Sequence, residues 1–136
     1  MADTPSTPPD DAARLRPRPA ERFAPPAEMF DLAVAALELV AEPGQTHQGH
    51  RQMMLYRHGR TSVSLFAFEA GGGLREHKTN GTVLIQSLEG RLTVHAGGEE
   101  HDLPAGRLLV MSPGVPHDVT AVLESRMLLT VSLETT

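Results

Sequence analysis

The chain has no cysteine and no tryptophan, and only one tyrosine and four phenylalanines among its 136 residues. Missing thiols exclude a disulfide framework, a thiolate nucleophile and any cysteine-ligated zinc or iron–sulfur centre, and they leave the redox compartment open. With so few aromatic rings the core must be aliphatic. Positive charge is scarce too: 12 Lys and Arg against 17 Asp and Glu give a net charge of −5, which offers a polyanion no general attraction. The one local excess, Arg14, Arg16, Arg18 and Arg22, is interleaved with Pro and Ala and reads as a solvated tail, not a nucleic-acid contact. No stretch approaches the apolar run needed to cross a bilayer, and MADTPSTPPDDAARLRPRP lacks the apolar segment of a secretory signal. The expectation is a soluble cytoplasmic protein with neither a nucleic-acid nor a membrane partner.

What is present fits one domain, since 136 residues suffice for one core but not for two comfortable ones. Seven of the eleven prolines fall in the first 26 residues, so residues 1–27 read as a flexible Pro-rich tail. Pro25 and Pro26 then precede a run of helix formers that Pro43-Gly44 stops, which predicts a helix over residues 28–42 with Glu28 and Asp31 near its positive end. Phe30, Val34, Leu37 and Ala41 recur at helical spacing, Leu32, Leu39 and Val40 widen the stripe beyond a single face, and the helix is expected to pack on the barrel or on a second subunit.

From Gln52 onward the texture changes to short Val-, Leu-, Thr- and Ser-rich segments separated by Gly and Pro. The predicted strands are QMMLYR, TSVSLFAFE, LREHK, TVLIQSL, RLTVHA, EHDL, RLLVMS, HDVTAV and RMLLTVSL. Eight or nine strands with no helix between them predict an all-β jelly-roll barrel over residues 46–136, with one N-terminal helix. In SVSLFAF, Val63, Leu65 and Ala67 point one way while Phe66 and Phe68 point the other. Two apolar faces call for a second sheet on one side and a dimer partner on the other, so a homodimer is expected.

Two segments carry the candidate chemistry: GGGLREHKTNGTVLIQSLEG, residues 71–90, and GRLLVMSPGVPHDVTA, residues 106–121. Together they resemble the two motifs of the cupin superfamily. The first is a glycine, five residues, His-x-His, three or four residues, Glu, six residues and a glycine, and here Gly71, His77 and Gly90 fall in register. The second is a glycine, five residues, Pro-x-Gly, two residues, His, three residues and Asn, and Gly106, Gly114 and His117 match it. The resemblance implies a double-stranded β-helix barrel whose mouth holds one divalent transition metal (iron, manganese, nickel or zinc) through His77 and His117. At the other motif positions this chain has Thr79 for His, Val83 for Glu, Ser112 for Pro and Ala121 for Asn.

Two of four expected ligands therefore remain, and a metal would need a supplement such as His58 or Thr79. By strand parity Val83 and Ile85 share the inner face with His77 and Thr79, making the pocket apolar and suited to a small, partly apolar ligand. Met111 is expected to line it as well, with Arg75 at the rim to hold an anion through a bidentate contact. For the two imidazoles three readings stand: metal ligation completed by another group, direct ligand contact, or hydrogen-bonded core histidines. The corresponding functions are a small-molecule-binding cupin that retains a divalent metal, a metal-dependent dioxygenase or isomerase, and a non-catalytic sensory or structural barrel. His47 and His50 read as a surface loop, and His95 and His101 as an exposed pair across a hairpin.

Overall fold

The computed structural model describes residues 25–134. Most of the tail expected over residues 1–27 lies outside the described residues. The helix α1 runs Leu32–Ala41, shorter than the predicted 28–42. Its start is set by Asp31, whose side chain accepts from the Val34 amide at 3.1 Å, an N-cap that satisfies one orphan donor of the first turn.

Nine strands follow: β1 (His50–His58), β2 (Thr61–Phe68), β3 (Gly73–His77), β4 (Gly81–Glu89), β5 (Arg91–Ala96), β6 (Glu99–Pro104), β7 (Leu108–Met111), β8 (His117–Ala121) and β9 (Ser125–Leu133). They form two antiparallel sheets, ordered β1-β2-β9-β4-β7 and β3-β8-β5-β6, face to face as a jelly roll. The space between them is filled by Phe66, Phe68, Val83, Ile85, Leu92, Val94, Leu103, Met111, Val119 and Met127, an aliphatic core with two rings.

On the convex face of the five-stranded sheet, α1 packs through Leu32, Ala35, Ala36 and Leu39 onto Met53, Leu55, Val63, Leu65 and Ala67. Of the expected apolar residues Leu32 and Leu39 dock here, whereas Val34 and Leu37 are 48% and 61% exposed and Phe30 lies before the cap. The helix is apolar on nearly every side, so sequence period alone cannot choose its buried face. The two alanines let it approach the sheet closely, and burying Leu39 contributes about 2 kcal/mol. The split of β2 into Val63, Leu65 and Ala67 under the helix and Phe66 and Phe68 in the barrel follows the two-residue period.

The two ends of the barrel differ in construction. At one end Gly49 and Gly72 cross so closely that a Cβ on Gly72 would stand 2.2 Å from the Gly49 carbonyl oxygen. Hydrogen bonds from Glu69 to Gly49, Gly73 to Gln48 and Ala121 to Gly72 close the seam at 2.8–3.0 Å. At the other end the connections are joined by single bonds, Leu133 to Arg60, Glu134 to Asn80 and Gly114 to Thr79. Concave-face burial follows this difference. Along β9, Ser125 and Met127 are fully buried, whereas Leu129 and Val131 are only partly so.

Candidate functional site

His77 ends β3 and His117 begins β8, and the two are direct cross-strand partners. A bulge between Leu74 and His77 lets residues three apart share the inner face. The rings lie 4.3 Å apart between centroids, tilted 60°. Each is oriented by its own backbone: Nδ1 of His77 is 2.9 Å from the Arg75 carbonyl, and Nδ1 of His117 is 3.0 Å from the Val115 carbonyl. A carbonyl only accepts, so both Nδ1 atoms donate, and in the neutral form of each ring Nε2 holds the lone pair. No hydrogen bond among the described residues engages either Nε2. His117 is 3% exposed and His77 opens to solvent, so the pair leads from the interior to the surface at the loosely joined end.

The five-stranded sheet supplies the opposite wall, and its register fixes which side chains share it. One row reads Arg57, Ser62, Val131, Val83 and Met111; the next reads Met54, Ser64, Leu129, Ile85 and Leu109. Val83, Ile85 and Met111 are 3%, 1% and 4% exposed and belong to the packed core at the β4–β7 side. Toward β1 the rows open: Met54 and Arg57 are exposed, and Leu129 and Val131 are partly exposed although they face inward from the middle strand. Solvent thus reaches the middle of this concave face. Ser62 and Ser64 escaped the sequence reading, although the alternation Ser62, Ser64, Phe66, Phe68 in TSVSLFAF carried the signal.

The other expected residues fall elsewhere. His58 pairs with Thr61 on the convex side of the β1–β2 hairpin, away from the imidazole pair. Thr79 lies between β3 and β4, its carbonyl accepting from Gly114 at 2.9 Å. The Arg75 side chain is exposed and borders a groove on the outside of β3, about 420 Å³, shared with Gln48, Gly72, Glu76, Asp118 and Thr120. His50, expected in a surface loop, is instead 5% exposed: it starts β1, its ring packs 5.5 Å from Phe66 and 5.8 Å from Phe68, and its Nδ1 donates to Gly73. His95 and His101 sit on opposite faces, because His95 pairs with Glu100 and His101 with Val94.

Glu100 and Asp118 lie beside His95 on the outer side of the four-stranded sheet, while Glu99 pairs with Ala96 on its inner face. A cleft of about 650 Å³ at the β5–β6 hairpin is bordered by Glu76, His95, Glu99, Glu100, His117 and Asp118. His95 stands between Asp118, 2.9 Å from Nδ1, and Glu100, 3.6 Å from Nε2. The hydrogen bond and charge of Asp118 raise its pKa above the ordinary imidazole value. Nearby, the Arg91 guanidinium grips Asp102 through two bonds of 2.8 and 2.7 Å and holds that carboxyl below its usual range. Among the described residues no three His, Cys, Asp or Glu side chains group in a way that could hold a metal ion.

Comparison with known proteins bears on this geometry. Residues 63–132, just over half of the chain, match the family model for the AraC-like ligand binding domain. No curated protein matches the chain. Among solved structures, a conserved protein of unknown function from Streptococcus pyogenes is similar at TM-score 0.66 and 21% identity, over 83% of this chain and 93% of that one. A cupin superfamily protein from Desulfitobacterium hafniense has TM-score 0.64 and 19% identity over 89% and 94%. Salicylate 1,2-dioxygenase from Pseudoaminobacter salicylatoxidans has TM-score 0.60 and 18% identity over 74% of this chain and 30% of its own. At such identities the structural likenesses speak for the fold alone. The fold, the motif glycines and histidines and the family match together make this chain a small cupin domain of the AraC-like ligand-binding family.

Proposed function

We propose that the open end of the barrel binds a small molecule, with His77 and His117 as polar contacts and Val83, Ile85 and Met111 as the dry floor beneath it. One observation carries this reading: inward-facing Leu129 and Val131 meet solvent at the same end as two oriented imidazoles whose Nε2 atoms have no partner among the described residues. Apolar wall with a few converging polar groups is the usual composition of a ligand pocket. No helix of the described residues is long and apolar enough to cross a membrane, and a cytoplasmic setting belongs to the same reading.

A resident divalent metal does not fit the donors present. The Nδ1-anchored rings are oriented as metal ligands are, but Thr79 and Val83 stand where a further His and a Glu would be needed, and sites of this kind ordinarily take three or four protein ligands. A metal-dependent dioxygenase or isomerase therefore has less support than a binding or sensory module. The exposed convex strip of Leu108 and Val110, each 56% exposed beside Leu84, suits a second copy, so the reading includes a homodimer.

The test is a thermal-shift screen of a metabolite library, run with metal analysis on the same preparations. Compounds that raise Tm in the wild type but not in the His77→Ala, His117→Ala double variant support binding at the pair. Stoichiometric metal lost in that variant replaces this reading with the metal-dependent one. A barrel that no compound stabilises is structural.

A further inference from the structure

The pocket wall opposite the imidazoles has a chemical bias. The concave face of the five-stranded sheet carries no Asp or Glu, and its single full charge is Arg57, exposed on the edge strand and in no ion pair among the described residues. Ser62 is its cross-strand partner. One row deeper, Ser64 is 8% exposed, faces the interior beside Leu129 and makes no side-chain hydrogen bond among the described residues. Its hydroxyl keeps some access to solvent and is therefore open to donate to a ligand. On the facing four-stranded sheet Glu100 and Asp118 point to the outer side, while Glu99, exposed at the hairpin, shares the cross-strand row of Ala96, His117 and His77 at the imidazole end and not at the Arg57 wall.

Resting on the proposed binding function, we infer that the site selects a small organic acid with an apolar middle and a hydroxyl at its far end. The carboxylate meets the Arg57 guanidinium and the Ser62 and Ser64 hydroxyls, all donors. The apolar middle lies along Leu129 and Val131. The far hydroxyl donates to a free imidazole Nε2 across the gap between facing sheets, about 10 Å between backbones. A ligand cation at the carboxylate position is disfavoured, because it would face the guanidinium with no carboxylate on that wall to offset it. Arg57 and Ser64 are then specificity-determining contacts.

The probes are ω-hydroxy acids of four to eight carbons, the matching amides and the matching acids without the hydroxyl, titrated into protein whose Leu and Val methyl groups are observed by NMR. The acid that fits best is expected to shift the Leu129 and Val131 methyls and to bind at least about tenfold tighter than its amide, as a charge-assisted contact does. Arg57→Gln should abolish the acid-over-amide preference, and Arg57→Lys should restore part of it. Ser64→Ala should weaken the acid severalfold. His117→Ala should remove the preference for the hydroxylated acid. Equal binding of acid and amide in the wild type overturns the acid specificity and leaves the pocket standing. Methyl groups unmoved by every probe overturn both.

Discussion

The two ends of this barrel use the same strands for opposite purposes. At the sealed end Phe66, Phe68, His50, Leu92 and Met127 interlock beneath the Gly49–Gly72 crossing, and the backbone connections are stitched to one another. At the open end the same strands present Arg57, Ser62, Leu129, Val131 and His77, none of them fully buried. Stability is concentrated where packing is complete, and recognition becomes available where packing stops. Local stability differing in this way along one fold is expected when binding draws on its less packed parts.

That contrast can be tested most strongly by truncation. Phe68→Ala at the sealed end should destabilise by about 3–5 kcal/mol, because a fully packed site collapses poorly around the void, whereas Val131→Ala at the open end should cost about 1 kcal/mol or less. Denaturant midpoints measured at constant m-value compare them directly, and equal losses would erase the distinction. The imidazoles sharpen it further: His117→Ala removes a buried ring and its bond to Val115, for a loss of about 1–2 kcal/mol, while exposed His77→Ala should stay within about 0.5 kcal/mol. Both should abolish any ligand-induced rise in Tm.

A smaller effect of opposite sign belongs to Ser87. Its hydroxyl is fully buried with no partner among the described residues, so Ser87→Ala should leave stability unchanged or raise it by up to about 1 kcal/mol. A loss would reveal a partner for that hydroxyl. Smallest of all is the outer face. The pKa of His95 is raised by Asp118, so the pair's contribution is complete below the ordinary imidazole value of 6.5 and fades as pH rises through the raised one. Because the ring is exposed the contribution is slight. Stability curves of the wild type and Asp118→Asn should converge above that window and separate below it.

Much of this architecture was legible in the sequence, because it rests on local rules. Gly and Pro punctuation located all nine strands, and the two-residue period sorted Val63, Leu65 and Ala67 from Phe66 and Phe68. The resemblance to the two cupin motifs singled out His77 and His117, and the strands bring the two rings together. What the residues alone did not give depends on register and on competition between faces. The apolar surroundings of α1 hid its docking side until Ala35 and Ala36 were seen to permit close approach. His50 followed a Gly in HQGH and read as loop, yet it is the first inward residue of β1. Arg57 becomes a neighbour of the candidate site only once a bulge between Met54 and Tyr56 sets which residues of β1 face inward.

The glycine crossing has a consequence for how such a barrel can change. Backbone meets backbone there with no side chain between, so Gly49 and Gly72 admit no substitution without separating the strands. Met54 and Arg57 touch no such constraint. Variation in what the domain recognises can therefore accumulate at those positions while the opposite seam stays fixed, and a saturation mutagenesis map should show intolerance at Gly49 and Gly72, and at Gly81 where β4 meets β9, with latitude at Met54 and Arg57.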